Sequence, residues 1–311
     1  MPLIVLPSRL QNTKIALPVF ASILALCHLT GCNDSSQSQE DTVEAGFEAL
    51  KYYDYNLAET KFNQAQSDLS PDDQEWTKIT FSAAIASWHS SPPSGTSIDH
   101  AQSLFEEIVE KSEDAQVVAM AKVNLARIAE VADFPNDTVD LAKAQSLYEE
   151  VMTSAEGTDI AAEATMRLAQ THVQSLTEDG VQRAISLLEN FLKNNPDSAW
   201  QSVAAQYLGD LYFERLADPA AALKAYQIAE AAGFANDTKA HIYIWRMSRF
   251  ARLAGDQRLS AEYCKQLVEN FPRSQYGWVA VKSIKEYNEA HPENAMAVPS
   301  IQNAFRGAPE Q

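Results

Sequence analysis

Glycine is scarce in this chain, with 10 residues in 311, and the sequence contains no glycine-rich motif. This absence excludes a phosphate-binding loop and a dinucleotide-binding fingerprint, because both need closely spaced glycines. Alanine, leucine, glutamate, glutamine and lysine, which favour helices, are abundant. The composition therefore predicts an all-α protein.

Basic residues are also few, with 24 lysines and arginines against 42 acids, so the formal net charge is −18. Only Arg9 and Lys14 are charged before Cys32, and without that segment 42 acids face 22 bases, a net charge of −20. Such a surface repels phosphates. We therefore expect no nucleic acid partner.

Patterns that carry chemistry are missing as well. The six histidines include no His-Glu-x-x-His pair, and there is no Gly-x-Ser-x-Gly elbow. Neighbouring acids such as Glu106-Glu107 have the spacing of solvated helix surface. The sequence predicts no catalytic residue, no metal and no cofactor, and hence a protein that is not an enzyme.

The chain has three cysteines, and two of them, Cys27 and Cys32, lie near the N-terminus. An apolar run from Ile15 to Thr30 follows the two basic residues and is short for a bilayer span, which needs about 20 residues. The order of basic region, apolar region and the stretch 29–32, Leu-Thr-Gly-Cys, resembles a bacterial lipobox.

The lipobox resemblance implies a signal peptide over residues 1–31, a lipidated Cys32 as the mature N-terminus, and a flexible tether over residues 32–41. An uncleaved membrane anchor, or a soluble protein with an apolar start, remains the alternative. On the lipoprotein interpretation Cys27 leaves with the signal peptide. Cys264 is then the one free thiol and no intrachain disulfide can form. Asn33 after the lipidated cysteine, where Asp would favour the inner membrane, favours the outer membrane.

A pattern of a small residue, an aromatic residue (leucine in the fourth copy) four positions later and an apolar residue three positions after that recurs along the chain. The copies are Ala58-Phe62-Ala65, Ala101-Phe105-Ile108, Ala144-Tyr148-Val151, Ala184-Leu188-Phe191, Ala222-Tyr226-Ala229 and a degraded Ser260-Cys264-Leu267. They are 43, 43, 40, 38 and 38 residues apart. Offsets of four and three place each set on one face of a helix. Cys264 occupies the aromatic slot, which predicts a buried thiol rather than a nucleophile.

A second helical pattern precedes each copy, most clearly Leu208-Gly209-x2-Tyr212. Together the two patterns resemble tetratricopeptide (TPR) repeats over residues 42–285, with a period longer than the family's roughly 34 residues. The extra length falls in loops such as 90–95 and 133–137. An unrelated helical bundle with similar apolar stripes is the alternative.

The TPR resemblance implies an α-solenoid of about five to six helical hairpins over residues 42–288. It ends in a capping helix around residues 276–288, and we expect a disordered tail over residues 289–311.

The segment 239–258 is the basic exception in this acidic chain, with five basic residues and one acid, Asp256. We predict a partner-binding site of Trp245, Arg246, Arg249 and Arg252, because aromatic side chains beside arginine are typical of interface hot spots. The acidic partner segment would contact this stripe. The alternative is that the arginines pair with acids of adjacent helices and that Trp245 packs in the core.

The leading functional hypothesis is a lipid-anchored TPR scaffold that holds other proteins together in the bacterial cell envelope. A role in outer-membrane protein assembly is one alternative, since the layout is weakly similar to the TPR lipoprotein of the outer-membrane β-barrel assembly machine. A surface lipoprotein that binds glycans or nutrients is another. The expected partners are envelope proteins or peptides and, through the anchor, the membrane.

Overall fold

The computed structural model describes residues 34–67, 69–131 and 138–301, and these residues contain thirteen α-helices and no strand. The helices are α1 Asp34–Lys51, α2 Tyr55–Gln66, α3 Trp76–Trp88, α4 Gly95–Lys111, α5 Ala115–Ala129, α6 Leu141–Ser154, α7 Asp159–Gln174, α8 Glu178–Asn194, α9 Gln201–Leu216, α10 Pro219–Ala231, α11 Ala240–Leu253, α12 Gln257–Asn270 and α13 Gly277–Ala290. Short 3₁₀ turns span Asp237–Lys239 and Pro292–Asn294.

The chain forms two compact units that divide between Leu176 and Thr177. In the first unit each helix from α1 to α7 packs against the next, which gives the hairpins α1/α2, α3/α4 and α5/α6 followed by α7. In the second unit α8 packs on α9, and the hairpins α9/α10 and α11/α12 lead to α13. Five hairpins and a last helix agree with the predicted repeat architecture.

Polar side chains fix where most of these helices begin. At eight N-termini a side-chain oxygen accepts a hydrogen bond from a backbone N–H of the first turn, which satisfies one of the donors that a helix start leaves free. The capping residues are Asp54, Ser94, Asp114, Asp140, Thr158, Thr177, Asp218 and Asp256. At α10 the cap is followed by Pro219, which has no N–H to leave unpaired.

The repeated motif supplies the core. All eighteen residues of its six copies are buried, including the degraded copy with Cys264, and the copies lie on the six helices α2, α4, α6, α8, α10 and α12. The predicted helical repeat is therefore confirmed at the level of the side chains that pack it.

Two glycines allow aromatic rings to approach a neighbouring helix closely. A Cβ on Gly46 of α1 would lie 2.8 Å from Cε1 of Phe62, and a Cβ on Gly209 of α9 would lie 2.7 Å from Cε2 of Tyr226. Each aromatic therefore sits directly over the backbone of the first helix of its hairpin, where no side chain fits.

The two ends of the described region differ from the sequence prediction. Helix α1 begins at Asp34, so residues 34–41 are helical where a flexible tether was expected. Residues 291–301, expected to be disordered, return along α13. The side chain of Asn288 donates to the carbonyl of Met296 and accepts from its N–H, at 2.8 and 2.9 Å, and Ile301 packs beside Gly277.

Three predicted features lie outside the described residues: the signal peptide with Cys32, the loop at 133–137 and the end of the tail. Within the described residues, no helix combines the length and the apolar character that crossing a bilayer requires.

Candidate functional site

Helix α11 carries the predicted basic site. His241, Trp245, Arg249 and Arg252 follow one another at intervals of four, four and three residues, so they share one face of the helix; we call this set the α11 stripe. The guanidinium groups of Arg249 and Arg252 are exposed, and neither forms an ion pair with any residue in the described ranges.

Arg246 is engaged within the protein. One guanidinium nitrogen lies 2.7 Å from Oδ1 of Asp210 and 3.7 Å from Oε1 of Glu214, both on α9. Its guanidinium carbon also lies 5.2 Å from the ring centre of Tyr226 and 5.7 Å from that of Phe250. The structure therefore separates the four predicted residues, because Arg246 pairs with neighbouring acids whereas Arg249 and Arg252 face solvent.

Trp245 is half-buried and stacks on Tyr276, which precedes α13. Their ring centres are 5.3 Å apart and the planes differ by 10°. One turn towards the N-terminus, His241 borders an open cavity of about 500 Å³ that the loop 271–275 also lines, with Arg273 at its exposed edge. The α11 stripe thus has its aromatic rings towards the N-terminus of the helix and two arginines towards its C-terminus, and Arg273 lies beyond the His241 end.

A half-buried polar network involves Arg246 of the same helix. The hydroxyl of Tyr226 donates to Oδ1 of Asp210 at 2.6 Å, and the same carboxylate binds Arg246. Burial raises the pKa of Asp210, and the guanidinium of Arg246 opposes that rise. The network fixes three helices, α9, α10 and α11, through one carboxylate.

The first unit repeats the arrangement. Tyr148 occupies the same motif position as Tyr226 and donates its hydroxyl hydrogen bond to Oε2 of Glu130 at 3.0 Å. Arg167 of α7 lies 3.2 Å from Oε1 of Glu130 and also pairs with Glu163. Pairing of Arg246 with acids of an adjacent helix was the alternative interpretation of the basic segment, but neither tyrosine hydroxyl and no part of the Glu130 network was predicted. The available signal is tyrosine rather than phenylalanine in a buried slot, because a buried hydroxyl requires a partner.

Within the described residues, no three His, Cys, Asp or Glu side chains come together in a group that could hold a metal ion. The thiol of Cys264 is buried between α11 and α13, and burial raises its pKa. A thiol in that setting packs as a small apolar group and is a poor nucleophile.

Comparison with solved structures gives the class of fold. The chain resembles a structure of Pseudomonas aeruginosa PilF, with 14% sequence identity, a TM-score of 0.50, and coverage of 84% of this chain and 100% of that one. It also resembles PilW, a widely conserved type IV pilus biogenesis factor, with 14% identity, a TM-score of 0.48, and coverage of 78% and 97%. A third match is the TPR2AB domain of yeast Sti1 in complex with pHSP90, with 14% identity, a TM-score of 0.33, and coverage of 83% and 93%.

These likenesses concern the fold. The chain has an all-α fold of the TPR-like solenoid class. No family model matches the sequence, and no curated protein matches it.

Proposed function

We propose that this protein is a lipid-anchored scaffold of the bacterial cell envelope that binds other proteins through the α11 stripe. One observation carries the proposal: Arg249 and Arg252 stay exposed and unpaired within the described part of a chain that has a large surplus of acids. The chain has more than enough acids to neutralise Arg249 and Arg252, yet both stay free on one helix face among the described residues. Two free arginines in such a setting favour an acidic partner. Stacked helical hairpins offer extended surfaces of the kind that bind peptides.

The dimensions of the α11 stripe suggest an extended segment as its ligand. From His241 to Arg252 the helix advances eleven residues, or about 16 Å, which is the length of about five extended residues. Acids at the two ends of such a segment would reach Arg273 at one end and Arg249 and Arg252 at the other. An apolar residue between them would lie over Trp245.

Charge reversal tests this site directly. We expect Arg249→Glu with Arg252→Glu to weaken binding of a labelled synthetic peptide, Glu-Glu-Leu-Glu-Glu, at least about tenfold, or ~1.4 kcal/mol. Fluorescence anisotropy measures the affinity, which should also fall as salt screens the charges.

The matched control is Lys193→Glu with Lys224→Glu, which changes the net charge equally. These two lysines are exposed on α8 and α10 and have no ion pair within the described residues. If both double variants lose affinity alike, the peptide responds to net charge and the α11 stripe is not its site.

Lipid anchoring at Cys32 is the second part of the proposal, and it is supported by the sequence pattern around that cysteine. We expect Cys32→Ala to shift the protein from membranes to the soluble fraction, or to leave the leader uncut, because no diacylglycerol can attach. Metabolic labelling with a radioactive fatty acid, followed by fractionation, measures both effects. Cys27→Ala is the control and should retain label and membrane association.

We further propose the periplasmic face of the outer membrane as the location, on the basis of Asn33. Density-gradient separation of the two membranes tests this assignment. Crosslinking the anchored protein in its own cells would then distinguish β-barrel assembly components from cell-wall synthases as partners.

A further inference from the structure

The cavity beside His241 is formed mainly by the loop that precedes α13. Its walls are His241, Phe271, Pro272, Arg273, Ser274 and Gln275. Phe271 and Pro272 are half-buried, and Phe271 packs against the core of the second unit, so this apolar wall is fixed in place. The volume of about 500 Å³ lies in the range of ligand pockets, and about 150 Å³ is enough to hold benzene. The cavity therefore has room for a whole aromatic ring.

His241 joins two further aromatic rings at this cavity. Its ring centre lies 6.0 Å from that of Phe271 and 6.2 Å from that of Tyr276, which in turn stacks on Trp245. Aromatic rings whose centres are about 4.5 to 7 Å apart attract each other beyond the effect of burial alone. A ring that enters the cavity would meet His241 and Phe271, so the lining favours an aromatic side chain over an aliphatic one.

We propose that this cavity binds an aromatic side chain of the acidic partner segment, an inference that rests on the function proposed above and names the residue that the α11 stripe selects. Arg273 is exposed at the edge of the cavity and has no ion pair within the described residues. It would therefore hold an acid directly beside the aromatic residue. The partner is a segment in which an acid neighbours a phenylalanine, tyrosine or tryptophan.

The spacing of the α11 stripe fits an extended segment that places its aromatic residue in the cavity. His241, Trp245 and Arg249 are four residues apart, or about 6 Å along the helix. In an extended segment every second side chain lies on the same side, about 6.6 Å apart. An aromatic residue in the cavity therefore places the second residue along over Trp245 and the fourth at Arg249. The expected pattern is acid-aromatic-x-apolar-x-acid.

Three labelled peptides test the cavity on the full chain. Glu-Phe-Ser-Leu-Ser-Glu has the expected pattern, and Glu-Ala-Ser-Leu-Ser-Glu lacks only the ring. Glu-Ser-Phe-Leu-Ser-Glu has the composition of the first peptide but turns the ring to the opposite side of the segment. Each is made in both chain directions, and fluorescence anisotropy gives the affinity of the tighter-binding direction. The first peptide should bind at least about fivefold more tightly than either of the others.

Replacing His241 tests whether the preference arises in this cavity. His241→Ala removes one aromatic wall, so the preference for the phenylalanine peptide over the alanine peptide should fall to about twofold or less. The matched control is His100→Ala, because His100 is an exposed histidine on α4 in the first unit. This control should leave the preference unchanged.

The outcomes separate the cavity from the charged site. If Arg249→Glu with Arg252→Glu weakens all three peptides and the phenylalanine peptide has no advantage, the acidic site stands and the aromatic pocket is overturned. A preference that survives His241→Ala overturns the pocket as well. If the preference is present but charge reversal changes no affinity, the pocket stands and the charge recognition fails. If no peptide binds, both proposals are wrong.

Discussion

Replacing Asp210 by alanine should destabilise the second unit by about 2–4 kcal/mol, one of the two largest effects of a single substitution that we expect. The carboxylate satisfies two groups at once, the hydroxyl of Tyr226, which is fully buried, and the guanidinium of Arg246. Its loss leaves a buried hydroxyl and a partly buried cation without their partner, and each unsatisfied group costs free energy of folding. The free energy of unfolding from denaturant titration measures the effect.

Two comparisons isolate the network from the general cost of removing an acid. Asp179→Ala on α8 breaks an exposed pair with Arg183 and should cost less than about 1 kcal/mol. Tyr226→Phe removes the buried hydroxyl and should cost about 1 kcal/mol, because phenylalanine already fills the same slot at Phe62 and Phe105.

In the Tyr226→Phe background, Asp210→Ala should lower the free energy of unfolding less than in the natural chain. The hydroxyl that would lose its partner is already absent there. Equal costs in the two backgrounds would show that the hydroxyl does not depend on Asp210.

The repeat was predictable because its determinants are local. A small residue and an aromatic residue four positions apart lie on the same face of a single helix, so the pattern identifies the face that packs. Every copy is buried, even the one in which Cys264 replaces the aromatic ring. Gly209 was recognisable for the same reason, as part of a short pattern with Leu208 and Tyr212.

The polar networks were not predictable, because their members come from three successive helices or, for Glu130, from the end of one. Asp210 and Arg246 are 36 residues apart in the sequence, and Glu130 and Arg167 are 37 apart. A sequence with many acids offers many candidate partners for each arginine, so only packing selects the pair. For the same reason the sequence alone does not distinguish Arg246, which is paired, from Arg249, three residues later on the same helix.

The order of residues 291–301 after α13 was not predicted, for a different reason. Prolines and a weak helical period indicate that residues 291–301 are not helical, and this agrees with the structure beyond a short 3₁₀ turn. Absence of a helix does not mean absence of order, because Met296 and Ile301 still bury apolar surface and Asn288 satisfies the backbone of Met296 on both sides. Tertiary contacts of this kind leave no periodic pattern in the sequence.

Gly209→Ala should destabilise the second unit by about 2–3 kcal/mol, although alanine favours helices over glycine by up to about 1 kcal/mol. The new methyl group would lie 2.7 Å from Cε2 of Tyr226 and 3.1 Å from the carbonyl oxygen of Ala222. The tyrosine cannot move away without breaking its bond to Asp210, and its ring also contacts Arg246 and Phe250. The free energy of unfolding measures the cost.

Two further glycines show what distinguishes this position. Gly277 is also helical and lies in the same unit, but a methyl group there would meet only Ile301, at 3.9 Å, so Gly277→Ala should be neutral or slightly stabilising. Gly46→Ala should cost less than Gly209→Ala, because the ring it meets, Phe62, has no hydroxyl bond to lose and its three nearest atoms all belong to that one side chain rather than to backbone. If Gly209→Ala is as mild as Gly277→Ala, the ring of Tyr226 is free to move, and the carboxylate of Asp210 does not fix it between the helices.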